Sequence, residues 1–265
     1  MTEITGKTKL FGIVADPIQQ VKTPQLVNAW VAKHNADAVL VPMHVPPNGL
    51  KTLVDGLRAM INFGGMVVTV PHKTTIIHLC DELTPAARMV GAVNVIRRES
   101  NGKMVGDIQD GKGFVTGLQR HNIDVKDKKV FLAGAGGAAN AIAFALCEAG
   151  IKELGVYNRT AAKVEEMFSR LSKVYPSVKM TLATDSPAGY DVVVNATSLG
   201  MAETDAFPLN VEQLQATQIV AEIIMKPALT PLLAAAQAKG CKIQYGLPML
   251  DSQIDLMADF MRVGK

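Results

Sequence analysis

Cysteine is scarce in this sequence, and its few positions suggest neither a disulfide framework nor a metal site. The 265 residues include three cysteines, Cys80, Cys147 and Cys241, which lie far apart and mostly in apolar surroundings. Thiols of this kind are usually buried and unpaired. The five histidines show no ligand spacing with them, so no zinc site is expected. Such sparse cysteine usage is typical of a protein in a reducing cytoplasm.

Basic runs and long apolar segments are missing as well. The net charge is +3, from 27 Lys and Arg against 24 Asp and Glu, and no run of Lys or Arg exceeds a pair. This pattern argues against binding to nucleic acid or to a membrane surface. No segment reaches the ~18 apolar residues of a membrane span, and the first residues lack the apolar core of a signal peptide. We expect a cytoplasmic monomer or homodimer with a small-molecule substrate.

What the sequence does contain is an alternation of strand and helix signals, which predicts an α/β fold with a parallel sheet. Gly64 and Gly65 are expected to break the chain, and a helix carrying Ile76, Ile77 and Leu79 is expected after Pro71. The remaining elements predicted in the first half are strands at 9–15, 38–45 and 66–70, helices at 24–36 and 49–63, and a hairpin of 92–98 with 103–107.

A glycine-rich loop near the middle of the chain follows an apolar strand signal at 130–133 and precedes a helix-forming segment at 140–150. Gly134, Gly136 and Ala139 have the spacing of the dinucleotide fingerprint, in which small residues allow a tight turn and close approach of a pyrophosphate to a helix N-terminus. A simple packing turn is the alternative. The other predicted cofactor contacts in this loop are Ala135, Gly137 and Ala138. Further strands are predicted at 154–157, 191–194, 219–223 and 242–245, with a helix at 250–262.

The residues about 20 positions past the fingerprint indicate which dinucleotide binds, because NAD enzymes usually place an acid there for the ribose hydroxyl. This chain has Asn158, Arg159 and Thr160 instead, with Lys163 one turn into the next helix. A guanidinium suits a 2′-phosphate through charge-assisted hydrogen bonds. An exposed surface turn is the alternative, but the fingerprint upstream favours NADP as cofactor.

Four further motifs occur in order with the glycine loop: Val-Thr-Val-Pro-His-Lys at 68–73, Gly-Ala-Val-Asn at 91–94, Asp-Gly at 110–111 and Asn-Ala-Thr-Ser-Leu-Gly-Met at 195–201. With these motifs the chain resembles the shikimate dehydrogenase family over nearly its full length. The resemblance implies a substrate domain beside a Rossmann-type, doubly wound NADP domain, with substrate in the cleft between them. We place the substrate domain at 1–110 with 241–265, and the NADP domain at 111–240.

The resemblance also implies that Lys73 and Asp110 are catalytic. Oxidation of a secondary alcohol by hydride transfer requires the hydroxyl proton to leave as well, and a lysine beside a carboxylate can relay it. Taken alone, a lysine after Pro-His is more often exposed to solvent. We expect Lys73 to act as base in oxidation and as acid in reduction.

Other site residues are also implied by the family motifs. Thr69, Asn94 and Gln253 match residues that contact substrate, whereas an ordinary strand residue, a turn amide and a polar helix position are their structural alternatives. Thr197 and Met201, in the fourth motif, are expected to contact the cofactor.

Departures from the family pattern bear on the substrate. The family's Ser-x-Ser, which holds the substrate carboxylate, is replaced by Val21, Lys22 and Thr23, and its tyrosine before Asn-Pro is replaced by Met225. Each lost partner of a carboxylate costs ~1.5 to 3 kcal/mol. We expect an enzyme for shikimate, quinate or a related cyclic hydroxy-acid that is inefficient on shikimate. A non-catalytic sensor on the same scaffold, or a dehydrogenase sharing only the Rossmann half, are the alternatives.

Overall fold

The structure is a computed structural model, which describes residues 3–265. The chain forms two compact units, one of which is built from both ends of the chain. The first unit extends to Gln109 and is completed by Ser252–Lys265, and the second comprises Asp110–Asp251. A parallel-rich α/β fold is confirmed, because each unit contains a six-stranded sheet with helices between its strands.

The first unit is built on a mixed sheet with the strand order β2-β1-β3-β5-β6-β4. The first three strands in that order are parallel, and the hairpin of β5 and β6 is antiparallel. Phe63, Met66 and Ile96 lie in its core at 1% exposure or less. The strands are β1 (Lys9–Ala15), β2 (Ala38–His44), β3 (Phe63–Val68), β4 (Glu82–Leu83), β5 (Val95–Arg98) and β6 (Met104–Asp107). The helices are α1 (Thr23–Lys33), α2 (Leu50–Ala59) and α3 (Pro85–Val90).

The second unit has an entirely parallel sheet with the order β12-β11-β10-β7-β8-β9. This is the doubly wound order, in which the sequence of strands reverses between β7 and β10. Its strands are β7 (Lys129–Ala133), β8 (Glu153–Tyr157), β9 (Lys179–Leu182), β10 (Val192–Asn195), β11 (Ile219–Glu222) and β12 (Lys242–Gln244). Its helices are α4 (Asp110–Arg120), α5 (Gly137–Glu148), α6 (Ala161–Val174) and α7 (Pro231–Ala238). The last helix, α8 (Leu247–Phe260), begins in the second unit and ends in the first.

Two predictions for the first unit are wrong. The glycine pair does not break the chain: Gly65 lies inside β3, where a side chain would meet the Ile96 carbonyl oxygen at 2.3 Å, so glycine permits close strand pairing. The predicted helix at 49–63 accordingly ends at Ala59. No α-helix follows Pro71, where two short 3₁₀ turns at His72–Thr74 and Ile76–Leu79 occur instead. The β-branched run at 74–77, which extends through parts of both turns, has low helix propensity.

The structure also differs from the predicted connections between the two units. The polar, glycine-containing segment 108–113 is typical of a junction before a helix, but α4 already begins at Asp110, the first residue of the second unit. The prediction assigned 241–265 to the first domain, whereas β12 pairs with β11 in the second sheet and the second unit extends to Asp251. The strand itself was predicted, but the sheet in which it pairs depends on tertiary context that its local sequence does not encode.

Membrane-spanning helices and metal-binding clusters are both absent from residues 3–265. Within that range no helix is both long and apolar enough to cross a membrane. The same residues contain no group of three or more His, Cys, Asp or Glu side chains placed to hold a metal ion.

Candidate functional site

The carboxyl ends of β1 and β3 bring two predicted site residues to one edge of the first sheet. Thr69 follows β3 directly; its N–H donates to the Val14 carbonyl at 3.1 Å, and its carbonyl accepts from the His72 N–H at 2.9 Å. Lys73 is in the adjoining 3₁₀ turn, and its carbonyl accepts from the Val93 N–H at 2.9 Å. Backbone hydrogen bonds therefore hold Lys73 beside the segment that leads to Asn94.

Asn94 joins three parts of the first unit through buried hydrogen bonds. Its Nδ2 donates to Gln253 Oε1 at 3.2 Å, and its Oδ1 accepts from the Gln109 N–H at 2.8 Å. Asn94 and Gln253 are 1% and 3% exposed. The two predicted substrate-binding amides thus meet, although 159 residues separate them in sequence. Gln109, whose Nε2 donates to the Leu256 carbonyl at 3.3 Å, fixes the same region to α8.

The segment in which the family has its serine pair ends at the start of α1. Val21 is half-buried and Lys22 is exposed. Thr23 is buried at 4% exposure and begins the helix. The lysine therefore projects into solvent, and the hydroxyl of Thr23 is the one polar side-chain group that the segment keeps out of solvent.

Two further predicted residues belong to the second unit. Asp110 is the first residue of α4 and is 3% exposed. A carboxylate in the first turn of a helix is stabilised by the helix dipole. Met225 is half-buried in the loop that follows β11. Its thioether offers no hydroxyl at the position where the family has tyrosine.

The glycine loop connects β7 to α5 in the arrangement that a dinucleotide requires. Gly134 adopts a φ of 111°, which favours glycine, and its N–H donates to the Tyr157 carbonyl at 2.7 Å. Gly136 has an ordinary φ of −81°, and a Cβ placed there would have no protein atom within 4 Å. The fold itself does not need glycine at position 136, but close approach of a pyrophosphate does. The loop therefore fits a dinucleotide.

Asn140, which was not among the predicted site residues, supports this loop from below. Its Nδ2 donates to the carbonyls of Ala135 and Gly136 at 3.1 and 2.9 Å, and its Oδ1 accepts from Arg170 at 2.7 Å. Because the Asn140 side chain binds the carbonyl groups of the loop, the N–H groups at the N-terminus of α5 remain available for a phosphate. An asparagine directly after the fingerprint was the available signal.

The predicted determinants of NADP preference follow β8. Arg159 and Thr160 are exposed, as is Lys163 in the first turn of α6. The Asn158 side chain donates to the Thr160 carbonyl at 3.0 Å and stabilises the turn. A guanidinium and an ammonium on this turn provide the positive charge that a 2′-phosphate requires.

The loop after β10 contains the other two predicted cofactor residues. Thr197 donates from Oγ1 to Asn195 Oδ1 at 2.8 Å, and its own oxygen accepts from the Leu199 N–H at 3.0 Å. Met201 is 40% exposed. Asp205 accepts from the N–H groups of Gly200 and Ala202, and these backbone hydrogen bonds lower the pKa of its carboxyl group.

Glu222 is a buried acid that the sequence analysis missed. It lies at the end of β11 at 0% exposure, where burial raises its pKa to about 7 despite hydrogen bonds from Asn195, Ile224, Ile223 and Thr230, which lower it. A single acid within an apolar strand segment was a signal for such a buried group.

Comparisons with known proteins agree with this geometry. Residues 13–96 match the shikimate dehydrogenase substrate binding domain, and residues 117–207 match the shikimate / quinate 5-dehydrogenase domain. The shikimate dehydrogenase (NADP(+)) of Lysinibacillus sphaericus is 37% identical over 247 residues, covering 92% of this chain and 89% of the relative.

Two solved structures illustrate the range of similar proteins. Shikimate dehydrogenase from Aquifex aeolicus has a TM-score of 0.87 and 31% identity, covering 99% of this chain and 96% of that one. The ligand-free 5-ketofructose reductase of a Gluconobacter strain has a TM-score of 0.83 and 30% identity, covering 97% and 94%.

The doubly wound sheet, its glycine loop and the separate N-terminal unit define a two-domain, dinucleotide-dependent oxidoreductase. With relatives above 30% identity over nine-tenths of its length, the chain belongs to the shikimate dehydrogenase family. The family predicted from the motifs is confirmed, and its relatives from Lysinibacillus sphaericus and Alkaliphilus oremlandii are named as NADP(+)-dependent shikimate dehydrogenases, in agreement with the predicted cofactor.

Proposed function

We propose that this enzyme interconverts shikimate, or a related cyclic hydroxy-acid such as quinate, with its keto form. The observation on which this rests is the buried contact of Asn94 with Gln253 beside the turn of Lys73, in a chain that also has a dinucleotide-binding unit. We propose that the first unit binds this substrate and the second binds NADP. The amides suit ring hydroxyl groups because each amide both donates and accepts hydrogen bonds.

The chemistry assigns distinct tasks to the chain's residues. NADP, when bound, would supply the acceptor for the hydride that leaves the alcohol carbon. Lys73 takes the hydroxyl proton at Nζ as the C–O bond becomes a carbonyl, and returns that proton in reduction. We propose Asp110, a buried carboxylate at the first residue of α4, as the second catalytic residue that the family motifs imply. Thr23 and Thr69 supply hydroxyl groups to the substrate, and the turn of Asn158, Arg159, Thr160 and Lys163 binds the 2′-phosphate.

The test is to follow NADP reduction by absorbance with shikimate and with quinate, using wild type, Lys73→Ala and Lys51→Ala. Lys51 is a matched control because its side chain is 72% exposed on α2, where it pairs with Asp55. We expect Lys73→Ala to lose at least about a hundredfold in kcat, since proton transfer by a side chain contributes about 10² to 10⁴. Equal activity in both variants would exclude Lys73 as the relay.

A second candidate substrate is a neutral polyhydroxy ketone, and one specific observation favours it. The 5-ketofructose reductase, named for a ketose that has no carboxylate, is 30% identical to this chain. Val21 and Met225 occupy the positions where the family has hydroxyl groups for the carboxylate, and Lys22 is exposed. NADPH oxidation with 5-ketofructose, compared with 3-dehydroshikimate, distinguishes the two substrates. No turnover of any of these compounds, with NADP binding retained, would favour a sensor.

A further inference from the structure

Glu222 receives hydrogen bonds from four donors, none of which carries a charge. Oε2 accepts from Asn195 Nδ2 at 3.0 Å and from Thr230 Oγ1 at 3.1 Å. Oε1 accepts from the N–H groups of Ile223 and Ile224 at 2.8 and 3.1 Å. A carboxylate only accepts hydrogen bonds, so it matches all four donors. A neutral acid or an amide would direct a hydrogen at one of them.

The carboxylate determines which way the Asn195 amide faces. Because Nδ2 donates to Glu222 and to the Leu199 carbonyl at 3.0 Å, Oδ1 is directed toward Thr197. There it accepts from the Thr197 N–H at 3.0 Å and from Oγ1 at 2.8 Å. Asn195 thus binds residues 196–201, which we name the β10 loop, at Thr197 and at Leu199.

The β10 loop begins at the point where the strand order of the second sheet reverses. The Ala196 N–H donates to the Ala133 carbonyl at 2.8 Å, and a Cβ on Gly134 would lie 2.9 Å from the Ala196 carbonyl oxygen. The β10 loop and the glycine loop are therefore in contact. Dinucleotides bind in the crevice at this reversal point in open α/β sheets.

We propose that Glu222 is a positioning residue for NADP: by orienting Asn195, its carboxylate holds the β10 loop in the conformation that binds the cofactor. The inference deepens the proposed function and rests on its placement of NADP in the second unit. Glu222 itself is buried beneath the loop at 0% exposure and acts through Asn195.

The surroundings of Glu222 make its protonation relevant near neutral pH. Neither β10 nor α7, which pack against β11, carries a titratable side chain, and β12 carries only Lys242, which is exposed. The adjoining loops add Lys226, which is exposed, and Asp205, which is bonded to its own loop. Since burial raises the pKa of Glu222 to about 7, mild acid protonates it. The added hydrogen on Oε2 then points at the hydrogen-bond donor of Asn195 or of Thr230, and that hydrogen bond is lost.

The experiment measures the dissociation constant of NADP⁺ directly by calorimetry, without a substrate. We compare wild type, Glu222→Gln, Glu222→Asp and the control Glu212→Gln, whose side chain is 83% exposed in the same unit. At pH 8 we expect Glu222→Gln to bind about tenfold more weakly, Glu222→Asp to retain part of the affinity, and Glu212→Gln to match wild type. Circular dichroism checks folding.

The pH profile separates positioning from a general loss of structure. Wild type should lose about tenfold in affinity between pH 8 and pH 6, and Glu222→Gln should lose less. The 2′-phosphate titrates near pH 6 as well, so the wild-type series is repeated with NAD⁺, which lacks it. Because this series uses only the wild-type protein, a misfolded variant cannot affect its result. A flat wild-type profile with NAD⁺, or equal affinity of Glu222→Gln and wild type, would overturn the proposal.

Failure of the proposed role of Glu222 can be told apart from failure of the proposed function. If NADP⁺ binds as expected but neither shikimate nor quinate is oxidised, the substrate proposal fails while the role of Glu222 stands. If the wild type does not bind NADP⁺, both proposals fail.

Discussion

Val21 and Met225 are two side chains without a hydrogen-bonding group at positions where the family has hydroxyls. Under the proposed function, each lost hydroxyl removes a partner of the substrate carboxylate, at a cost of ~1.5 to 3 kcal/mol. Neither substitution disturbs the local fold: Val21 is half-buried before α1 and Met225 half-buried after β11. Because Lys73 and Asp110, the proposed catalytic pair, are retained, we propose that the substrate differs at this scale rather than the reaction.

Restoring the hydroxyls is therefore expected to restore binding of shikimate. Val21→Ser and Met225→Tyr should each lower the KM for shikimate by about tenfold, and the double variant by more, with kcat changed little. Steady-state kinetics checks this. Val21→Thr, which retains the branched shape, is the control for volume at position 21. An unchanged KM in the double variant would indicate a substrate without a carboxylate.

At the scale of the element, α8 is fixed to the first sheet by a charged cluster. Arg97 on β5 donates to the Phe260 carbonyl at 3.2 Å and lies over the Phe260 ring at 4.8 Å. Glu99 joins Arg97 at 2.7 Å and Arg262 at 3.0 Å. The hydrogen bond from Arg97, with the positive charge of both arginines, lowers the pKa of Glu99. The helix that carries Gln253 is anchored by these contacts.

The direction of that pKa shift predicts an acid sensitivity. A carboxyl group with a lowered pKa contributes stability above its unfolded pKa, and the contribution is lost as pH falls through the folded pKa. The free energy of unfolding should therefore fall below about pH 4.5 by up to about 1 kcal/mol more in wild type than in Glu99→Gln. Urea unfolding at pH 7 and pH 3.5 measures this. Glu82→Gln removes a more exposed pair with Lys103 and should follow wild type.

Elements with strong local signals were predictable from the sequence, and long-range contacts were not. The strand Lys9–Ala15 and the hairpin of β5 with β6 are confirmed, because apolar runs bounded by turn residues specify them locally. α7 was not predicted, although Thr230 caps it and Pro231 begins it. The contact of Asn195 with Glu222 depends on the register of two strands 27 residues apart, which no local pattern encodes.

At the scale of the whole molecule, the first unit depends on the final residues of the chain. Trp30, the single tryptophan, donates from Nε1 to Asp255 Oδ1 at 2.8 Å, and Met257 and Met261 are buried at 2% exposure. These contacts join α1 and the core of the unit to α8, so a chain that stops at Asp251 lacks part of the first core but keeps the second unit intact.

Such a truncation should separate the two units in a measurement. We expect Trp30 fluorescence to shift toward the value of an unfolded chain, because its indole loses Asp255 and the packing of α8. NADP⁺ affinity should change by less than about threefold, since the second unit is complete. Asp255→Asn, which keeps a hydrogen-bond acceptor, is the control. Loss of both signals together would mean that the units do not fold independently.

Because the first unit is divided between the two ends of the chain, the order in which the two units can finish folding during synthesis is fixed. Domains generally fold as units while the chain is still being made, with N-terminal domains first. Here the first unit lacks part of its chain until Ser252–Lys265 has been synthesised. The unit of Asp110–Asp251 is therefore the first to be complete. During synthesis, the unit that we propose binds NADP can therefore be complete before the unit that we propose binds the substrate.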